Sequence, residues 1–285
     1  MKKRDIVHDT FNVRDRNIVL TGSSGTLGSQ YADFLSSAGA NMILIDLDNN
    51  KNKKLEKQII KKYGTNCKSF SADISNKEDV ESISNVIISE YRKIDGLINN
   101  AGFTSTFAKK QTKSYATMFE EFPLDLWNQT LSVNLTGVFL CSQEFGRAMT
   151  KRGKGVIVNI ASHYGLVGAD QRIYGDSGLN LPASYAASKG AIINLTRYLA
   201  AYWRQKNIRV NTLTPGGVLD KKHHSNDFIK KYSERTILNR MANKNEYNGA
   251  MLFLISDASS YMTGSNLVVN KSRESNEKPK PIVFE

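Results

Sequence analysis

Tyr185 and Lys189 stand four residues apart in Tyr185-Ala186-Ala187-Ser188-Lys189. On a helix that spacing puts a phenol and an ammonium on one face. A free tyrosine titrates near 10, so service as a base at neutral pH needs a depression of about 3, worth roughly 4 kcal/mol. A lysine in a partly dry site, with a bound organic cation, is a source of that size. Tyr202 and Lys206 repeat the spacing. They lie about 25 Å further along the same expected helix, counted at 1.5 Å per residue. Tyr185 therefore falls at the edge of the sheet where ligands bind, and Tyr202 falls at the surface. Ser162 follows an apolar strand and reaches the same edge, where its hydroxyl can hold a substrate oxygen. Asn134, between Val133 and Leu135, is a polar residue out of pattern in a helix, a catalytic candidate or a buried structural amide.

A second group of residues offers a place for a dinucleotide. Thr21-Gly22-Ser23-Ser24-Gly25-Thr26-Leu27-Gly28 follows Ile18-Val19-Leu20 and opens into a helical pattern. Strand, glycine turn and helix in that order bring backbone N–H groups and the positive end of a helix to a pyrophosphate. Gly22, Ser24, Gly25, Thr26, Leu27 and Gly28 are the candidate contacts. Asp46 ends the second strand, 18 positions after Gly28. A carboxylate there accepts from ribose hydroxyls and repels a 2′-phosphate, and the turn has no Arg or Lys to welcome that phosphate. NAD is thus expected over NADP. Asp48 is an alternative acid, or a plain loop residue. Asp73 with Ile74, Asn100-Ala101-Gly102, and Pro215, Gly216 and Val218 complete the expected cofactor contacts.

The elements that must position these groups alternate throughout. Expected strands cover 18–20, 41–45, 67–70, 96–99, 155–160, 208–213 and 266–269. Expected helices cover about 26–37, 51–63, a stretch from Ser75 or Asn76 to Arg92, 124–149 and 183–206. That rhythm calls for a doubly wound parallel α/β sheet of about seven strands with helices on both faces. Residues 1–15 are expected as a loose polar arm, 16–270 as one domain, and 271–285 as a charged tail. The stretch 103–123 is polar, and a glycine-rich connection spans 163–182.

Composition narrows the function. The chain of 285 residues carries a net charge of +12. Its lysines are scattered beside asparagines and do not interleave with aromatics, so a nucleic-acid partner is not expected. The charge is either a solvated surface or an attractor of anionic ligands. No apolar run approaches the ~20 residues that span a bilayer, and the basic N-terminus leads into no apolar signal segment. Cys67 and Cys141 show neither a disulfide framework nor metal spacing. A cytoplasmic protein with no membrane partner and no metal is expected.

Taken together, the glycine turn, Asp73, Asn99-Asn100-Ala101-Gly102, Asn134, Ser162, Tyr185 with Lys189, and Pro215-Gly216 occur in the order seen in short-chain dehydrogenases/reductases. The resemblance covers roughly 16–270. It implies a Rossmann-type fold, a nicotinamide cofactor, and homodimers or homotetramers. It also implies roles: Tyr185 as general acid/base, Lys189 holding the nicotinamide ribose and lowering the tyrosine pKa, Ser162 orienting substrate, and Asn134 supporting a water in the proton relay. The sequence departs from the family at four places. The middle glycine stands one place early, a spacing that looks like the branch acting on nucleotide sugars. The Ser162-to-Tyr185 interval is long, and its segment His163 to Gly178 is similar to oxidoreductases of flagellin modification and surface-glycan pathways. Position 220 is Asp where the family often has Thr, and Asn270-Lys271 replaces Asp-Gly-Gly.

The resulting expectation is an NAD(P)-dependent oxidoreductase interconverting an alcohol and a ketone, on a small anionic carbohydrate such as a sugar phosphate or nucleotide-linked sugar. Substrate candidates are His163, Tyr164, Asp170, Arg172 and His223, the last in Lys221-Lys222-His223-His224; a solvated loop is the bland alternative. A sugar-nucleotide epimerase or dehydratase that retains NAD, and a non-catalytic dinucleotide-binding regulator, are the competing readings.

Overall fold

A computed structural model describes residues 6–104, 118–177 and 179–270. Residues 1–5, most of the expected polar stretch 103–123, Gly178 and the expected tail 271–285 lie outside the described residues. Seven parallel strands form one sheet in the order β3-β2-β1-β4-β5-β6-β7. They are β1 (Asn17–Thr21), β2 (Asn41–Asp46), β3 (Cys67–Ser71), β4 (Gly96–Asn99), β5 (Gly155–Ile160), β6 (Ile208–Pro215) and β7 (Asn266–Val269).

The central strands are apolar on both faces, as a doubly covered sheet requires. Alternate side chains go to opposite cores. Ile18, Leu20, Met42, Leu44, Ile98, Val156, Val158 and Leu213 pack in one layer. Val19, Ile43, Ile45, Leu97, Ile157 and Val210 pack in the other. The first layer is covered by α2 (Thr26–Ser37) and α9 (Asn248–Ile255), and the second by α4 (Lys77–Tyr91), α6 (Gly137–Arg152) and α7 (Ala183–Tyr202). Helix α3 (Asn49–Tyr63) lies against β3 and α2. The order of strands reverses at β1, between β2 and β4, and this switch point sets where a ligand can enter at the carboxyl ends.

Several sequence expectations change in detail. Residues 6–10, expected in a loose arm, form the short helix α1 (Ile6–Thr10). Val13 behind it is fully buried, so an apolar residue anchors the approach to β1. The single helix expected over 124–149 is α5 (Leu124–Leu131), a π turn at Ser132–Thr136, and then α6. Asn134 sits in this π turn with its amide bonded outside the helix, to the Phe103 backbone and Ser188 Oγ. The helix expected to reach residue 206 ends at Tyr202. Asn76, rather than Ser75, caps α4 by accepting from the Asp79 N–H at 3.0 Å. Among the described residues no helix is long and apolar enough to cross a membrane.

Candidate active site

The carboxyl ends of β1, β2, β4, β5 and β6 open into one cleft of about 960 Å³. At its β1 end the glycine turn is locked from behind. Asn100 donates its side-chain amide to the carbonyls of Thr21 and Gly22, at 3.1 and 3.0 Å. Thr21 Oγ1 accepts from the N–H groups of Asn100 and Ala101. Gly22 sits at φ +62°, and a Cβ there would stand 2.6 Å from the Ala101 Cα. A Cβ on Gly28 would collide with the Gly22 carbonyl oxygen. Gly28 therefore serves the turn and does not line the cleft, whereas Gly22, Ser24, Gly25, Thr26 and Leu27 do. Gly25 differs from both: a Cβ there meets only the Gly22 carbonyl oxygen, at 3.3 Å. Its missing side chain keeps the turn open toward the cleft, the space a pyrophosphate needs. The one-place shift of the middle glycine thus leaves a usable cradle.

Asp46 lines the cleft beside this turn. Its Oδ2 accepts from the Ser24 N–H at 2.8 Å and its Oδ1 from the Asp48 N–H at 2.9 Å. Two backbone donors fix the carboxylate on the cleft floor. Asp48, the alternative acid, instead caps α3 by accepting from the Lys51 N–H at 3.0 Å, and pairs with the Lys51 ammonium at 2.7 Å. Asp73, Ile74, Asn100, Ala101, Gly102, Pro215, Gly216 and Val218 all line the same cleft. The side chain of Asn270 lies against Gly216 at its floor.

Deeper in, Ser162, Tyr185 and Lys189 share the cleft. Ser162 leaves β5 in extended conformation and starts a 3-10 turn, His163–Gly165. That turn rests directly on the backbone of α7. A Cβ on Gly165 would stand 2.6 and 2.7 Å from the Lys189 carbonyl carbon and oxygen, and 2.8 Å from the Gly190 N. The contact fixes Ser162 relative to Tyr185 and Lys189. The Lys189 ammonium donates to the Ile160 carbonyl at 2.8 Å and stands 5.7 Å from the centre of the Tyr185 ring. Burial lowers its pKa to about 8.

The depression expected for Tyr185 depends on a bound cation; the chain by itself acts in the other direction. Burial raises the Tyr185 phenol above the usual value, and only the hydrogen bond with Ser162 pulls the other way. The Lys189 ammonium donates to the Ile160 carbonyl, and burial leaves Tyr185 a neutral phenol in the chain by itself, an acid ready to donate. Asn134 does not line the cleft. Its Oδ1 accepts from the Phe103 N–H at 2.6 Å, and its Nδ2 donates to the Phe103 carbonyl and to Ser188 Oγ. It holds the strand-end loop and α7 together from behind, while its neighbours Ser132 and Val133 face the cleft.

The long segment before Tyr185 folds into the far wall. Ile173 and Tyr174 are buried with Tyr232 and Met241, against Phe228 and Ile229 of α8 (Asn226–Glu234). Asp170 clamps the two parts: it accepts from Arg172 Nε at 2.7 Å and pairs with Arg235 just beyond α8. These partners, Arg172 first, hold the Asp170 carboxyl well below the usual carboxylate range. Asp170 and Arg172 therefore lie outside the cleft as a structural clasp, a correction to their expected substrate role. His223 also lies outside it, exposed and paired with Asp220 at 2.8 Å. Its neighbour His224 lines the cleft instead, with His163, Tyr164, Tyr174, Phe228 and Tyr232. The sequence signal for α8 was weak, because its apolar face, Phe228, Ile229 and Tyr232, sits among lysines.

Comparison with known proteins agrees with this geometry. The family model described as Enoyl-(Acyl carrier protein) reductase matches residues 22–271. The NAD-dependent glycerol dehydrogenase of Listeria innocua is 31% identical over 263 residues, covering 91% of this chain and 94% of that protein. The crystal structure of a short chain dehydrogenase from Leptospira borgpetersenii with bound NAD+ superposes with a TM-score of 0.80. It is 33% identical and covers 95% of this chain and 96% of that one. A gluconate 5-dehydrogenase from Burkholderia cenocepacia, in complex with NADP and tartrate, has a TM-score of 0.80 at 28% identity over 93% of this chain and 97% of that one. The chain belongs to the short-chain dehydrogenase/reductase family and is an oxidoreductase with a nicotinamide dinucleotide cofactor.

Proposed function

We propose that this member of the short-chain dehydrogenase/reductase family interconverts a secondary alcohol and a ketone on an uncharged, hydroxyl-rich substrate, a polyol or its keto form, with NAD as coenzyme. The carrying observation is the continuity of one cleft. It runs from the glycine turn and Asp46, past Ser162, Tyr185 and Lys189, to a wall of aromatic rings tipped with hydroxyl and imidazole groups. Such a wall offers apolar faces to C–H groups and polar tips to hydroxyls. The name of the relative acting on glycerol supports the same class.

A bound nicotinamide would exchange a hydride with the substrate carbon. The chain's own residues handle the proton. Tyr185 gives it to the substrate oxygen in reduction and takes it back in oxidation, while Ser162 holds that oxygen in place. Lys189 keeps a positive charge below Tyr185 and stands next in line as a proton store. The expected sugar phosphate or nucleotide-linked sugar finds less support. Apart from Lys189, the described residues around Tyr185 carry no cation, and Lys221 and Lys222 are exposed outside the cleft. The surface-glycan setting has no support beyond the resemblance of the 163–178 segment.

The coenzyme choice rests on Asp46. Its charge is fixed by two backbone donors at the ribose end, where it opposes a 2′-phosphate, and the nearby Lys51 is taken by Asp48. Titration of cofactor-free protein with NADH and NADPH should show NADH bound about tenfold tighter or better, a gap of roughly 1.4 kcal/mol. Asp46→Ser should narrow that gap. Tighter NADPH binding would refute the coenzyme assignment.

The shifted proton affinities set a pH profile. A lysine at about 8 keeps its ammonium below that pH and loses it above. With Tyr185 raised, the proton supply is full near neutrality. Reduction at saturating coenzyme is expected to hold to about pH 8 and then fall, while oxidation rises through the same window. His163 is pushed down to about 4 by burial and adds no inflection there. A reduction rate that climbed between neutrality and pH 9 would contradict the scheme.

A further inference from the structure

Tyr174 stands in the segment inserted between Ser162 and Tyr185, and it lines the cleft at 6% exposure. Its placement is fixed from two sides. The ring is buried with Ile173 and Met241 and lies 5.3 Å, centroid to centroid, from the Phe228 ring of α8. The next residue, Gly175, sits at φ +52°, in the left-handed region, where a Cβ would stand 2.3 Å from the Lys231 ammonium. Lys231 pairs with Asp227 at 2.8 Å, and both belong to α8. The inserted segment and α8 therefore hold this ring by apolar contact and by close packing at the bend that follows it.

That hold brings the ring to the reacting end of the cleft. The same buried cluster contains Tyr232, whose hydroxyl faces His163 Nε2 at 3.5 Å, one residue from Ser162. Tyr174 also lies within electrostatic reach of the Tyr185 phenol: burial first, and Tyr185 second, raise the Tyr174 phenol above its usual value. Tyr185 takes its hydrogen bond from Ser162, so the second phenol flanks the acid–base group without being bonded to it. A phenol kept neutral in this way has one O–H donor and an acceptor oxygen, which suits an uncharged hydroxyl. The carbon beside the reacting one is the next part of a substrate held on Ser162 and Tyr185. Its oxygen is the group that a polar atom flanking Tyr185 meets first.

We propose that Tyr174 is a specificity-determining residue whose hydroxyl binds the oxygen on the carbon next to the reacting one, so that the enzyme prefers vicinal diols and α-hydroxyketones to simple alcohols and ketones. This rests on the polyol reading above. It goes further by naming the substrate position that is recognised and the side chain, supplied by the inserted segment, that recognises it.

The test is NADH-driven reduction of hydroxyacetone and of acetone, which differ by one hydroxyl on the carbon next to the ketone, by wild type and Tyr174→Phe. The substitution removes one oxygen and keeps the ring that fills the wall. Wild type should favour hydroxyacetone in kcat/KM by about tenfold or more, because acetone leaves the Tyr174 hydroxyl unmet. In Tyr174→Phe most of that preference should vanish through loss on hydroxyacetone, while acetone and NADH affinity stay within about twofold of wild type. An equal loss on both ketones marks Tyr174 as structural support and overturns the inference. No preference in wild type, or an unchanged one in Tyr174→Phe, overturns it and leaves the oxidoreductase assignment standing. No reduction of hydroxyacetone or dihydroxyacetone, with NADH still bound, overturns the polyol reading itself and this inference with it. Binding supplies a second readout that needs no turnover. Propylene glycol should raise the melting temperature of the wild-type NADH complex more than isopropanol does, and Tyr174→Phe should lose that difference; equal shifts in wild type overturn the inference.

Discussion

Tyr185→Phe is expected to lower turnover about a thousandfold while NADH affinity stays within about twofold. Removing the phenolic oxygen leaves the ring packed over Lys189 and the glycine turn untouched, so only the proton path is broken. General acid–base groups contribute about a hundredfold to ten-thousandfold. Tyr185 belongs in the upper half of that range, because it lines the cleft and is hydrogen-bonded to Ser162. The measurement is steady-state turnover alongside fluorescence titration with NADH. Retention of more than a tenth of wild-type turnover would remove Tyr185 from the acid–base role.

Gly165→Ala has the second largest expected effect, at a residue with no chemistry of its own. The new Cβ would overlap the Lys189 carbonyl and the Gly190 N, backbone atoms of a helix that has no room to yield locally. Either the 3-10 turn lifts, carrying Ser162 and His163 away from Tyr185, or α7 shifts with its Tyr185 and Lys189. Misplacement by about 1 Å can cost a hundredfold in rate, and overpacking costs about 1–3 kcal/mol of stability. The variant should thus lose about a hundredfold in kcat and melt several degrees lower, with NADH affinity kept where the turn lifts and weakened where α7 carries Lys189 away. Wild-type kcat in this variant would show that the contact between the turn and α7 does not set the site's geometry.

Much of this was legible in the sequence because parallel-sheet physics writes plainly. Ile18-Val19-Leu20 and Met42-Ile43-Leu44-Ile45 are apolar at every position because both faces are covered, and the strands at 96–99, 155–160 and 266–269 have the limits expected. Glycine turns and capping residues such as Asn76, one of the two candidates, act through the local backbone, so they too were readable. What escaped depends on distant partners. Asn134 was out of helical pattern because Phe103, 31 residues earlier, takes its amide. Arg172 had the right chemistry for an anion and Asp170 for a hydroxyl, but Arg235 claims the carboxylate from 65 residues away. His224 and Tyr232 reach the cleft only because α8 folds back over the inserted segment, a docking that no local spacing announces. In the chain alone, burial raises the Tyr185 phenol and the Lys189 ammonium is directed at the Ile160 carbonyl; the expected depression concerns the site with a cation bound.

The central claim is that this cleft exchanges a hydride between a nicotinamide coenzyme and a polyol with Tyr185 moving the proton. Its most direct test follows NADH formation from NAD with glycerol, threitol and xylitol, in wild type and Tyr185→Phe side by side. The account predicts polyol-dependent NADH in wild type that is reduced about a thousandfold in the variant. Wild-type protein that binds NADH but forms none from any of these polyols, or a variant that forms it equally well, would contradict it.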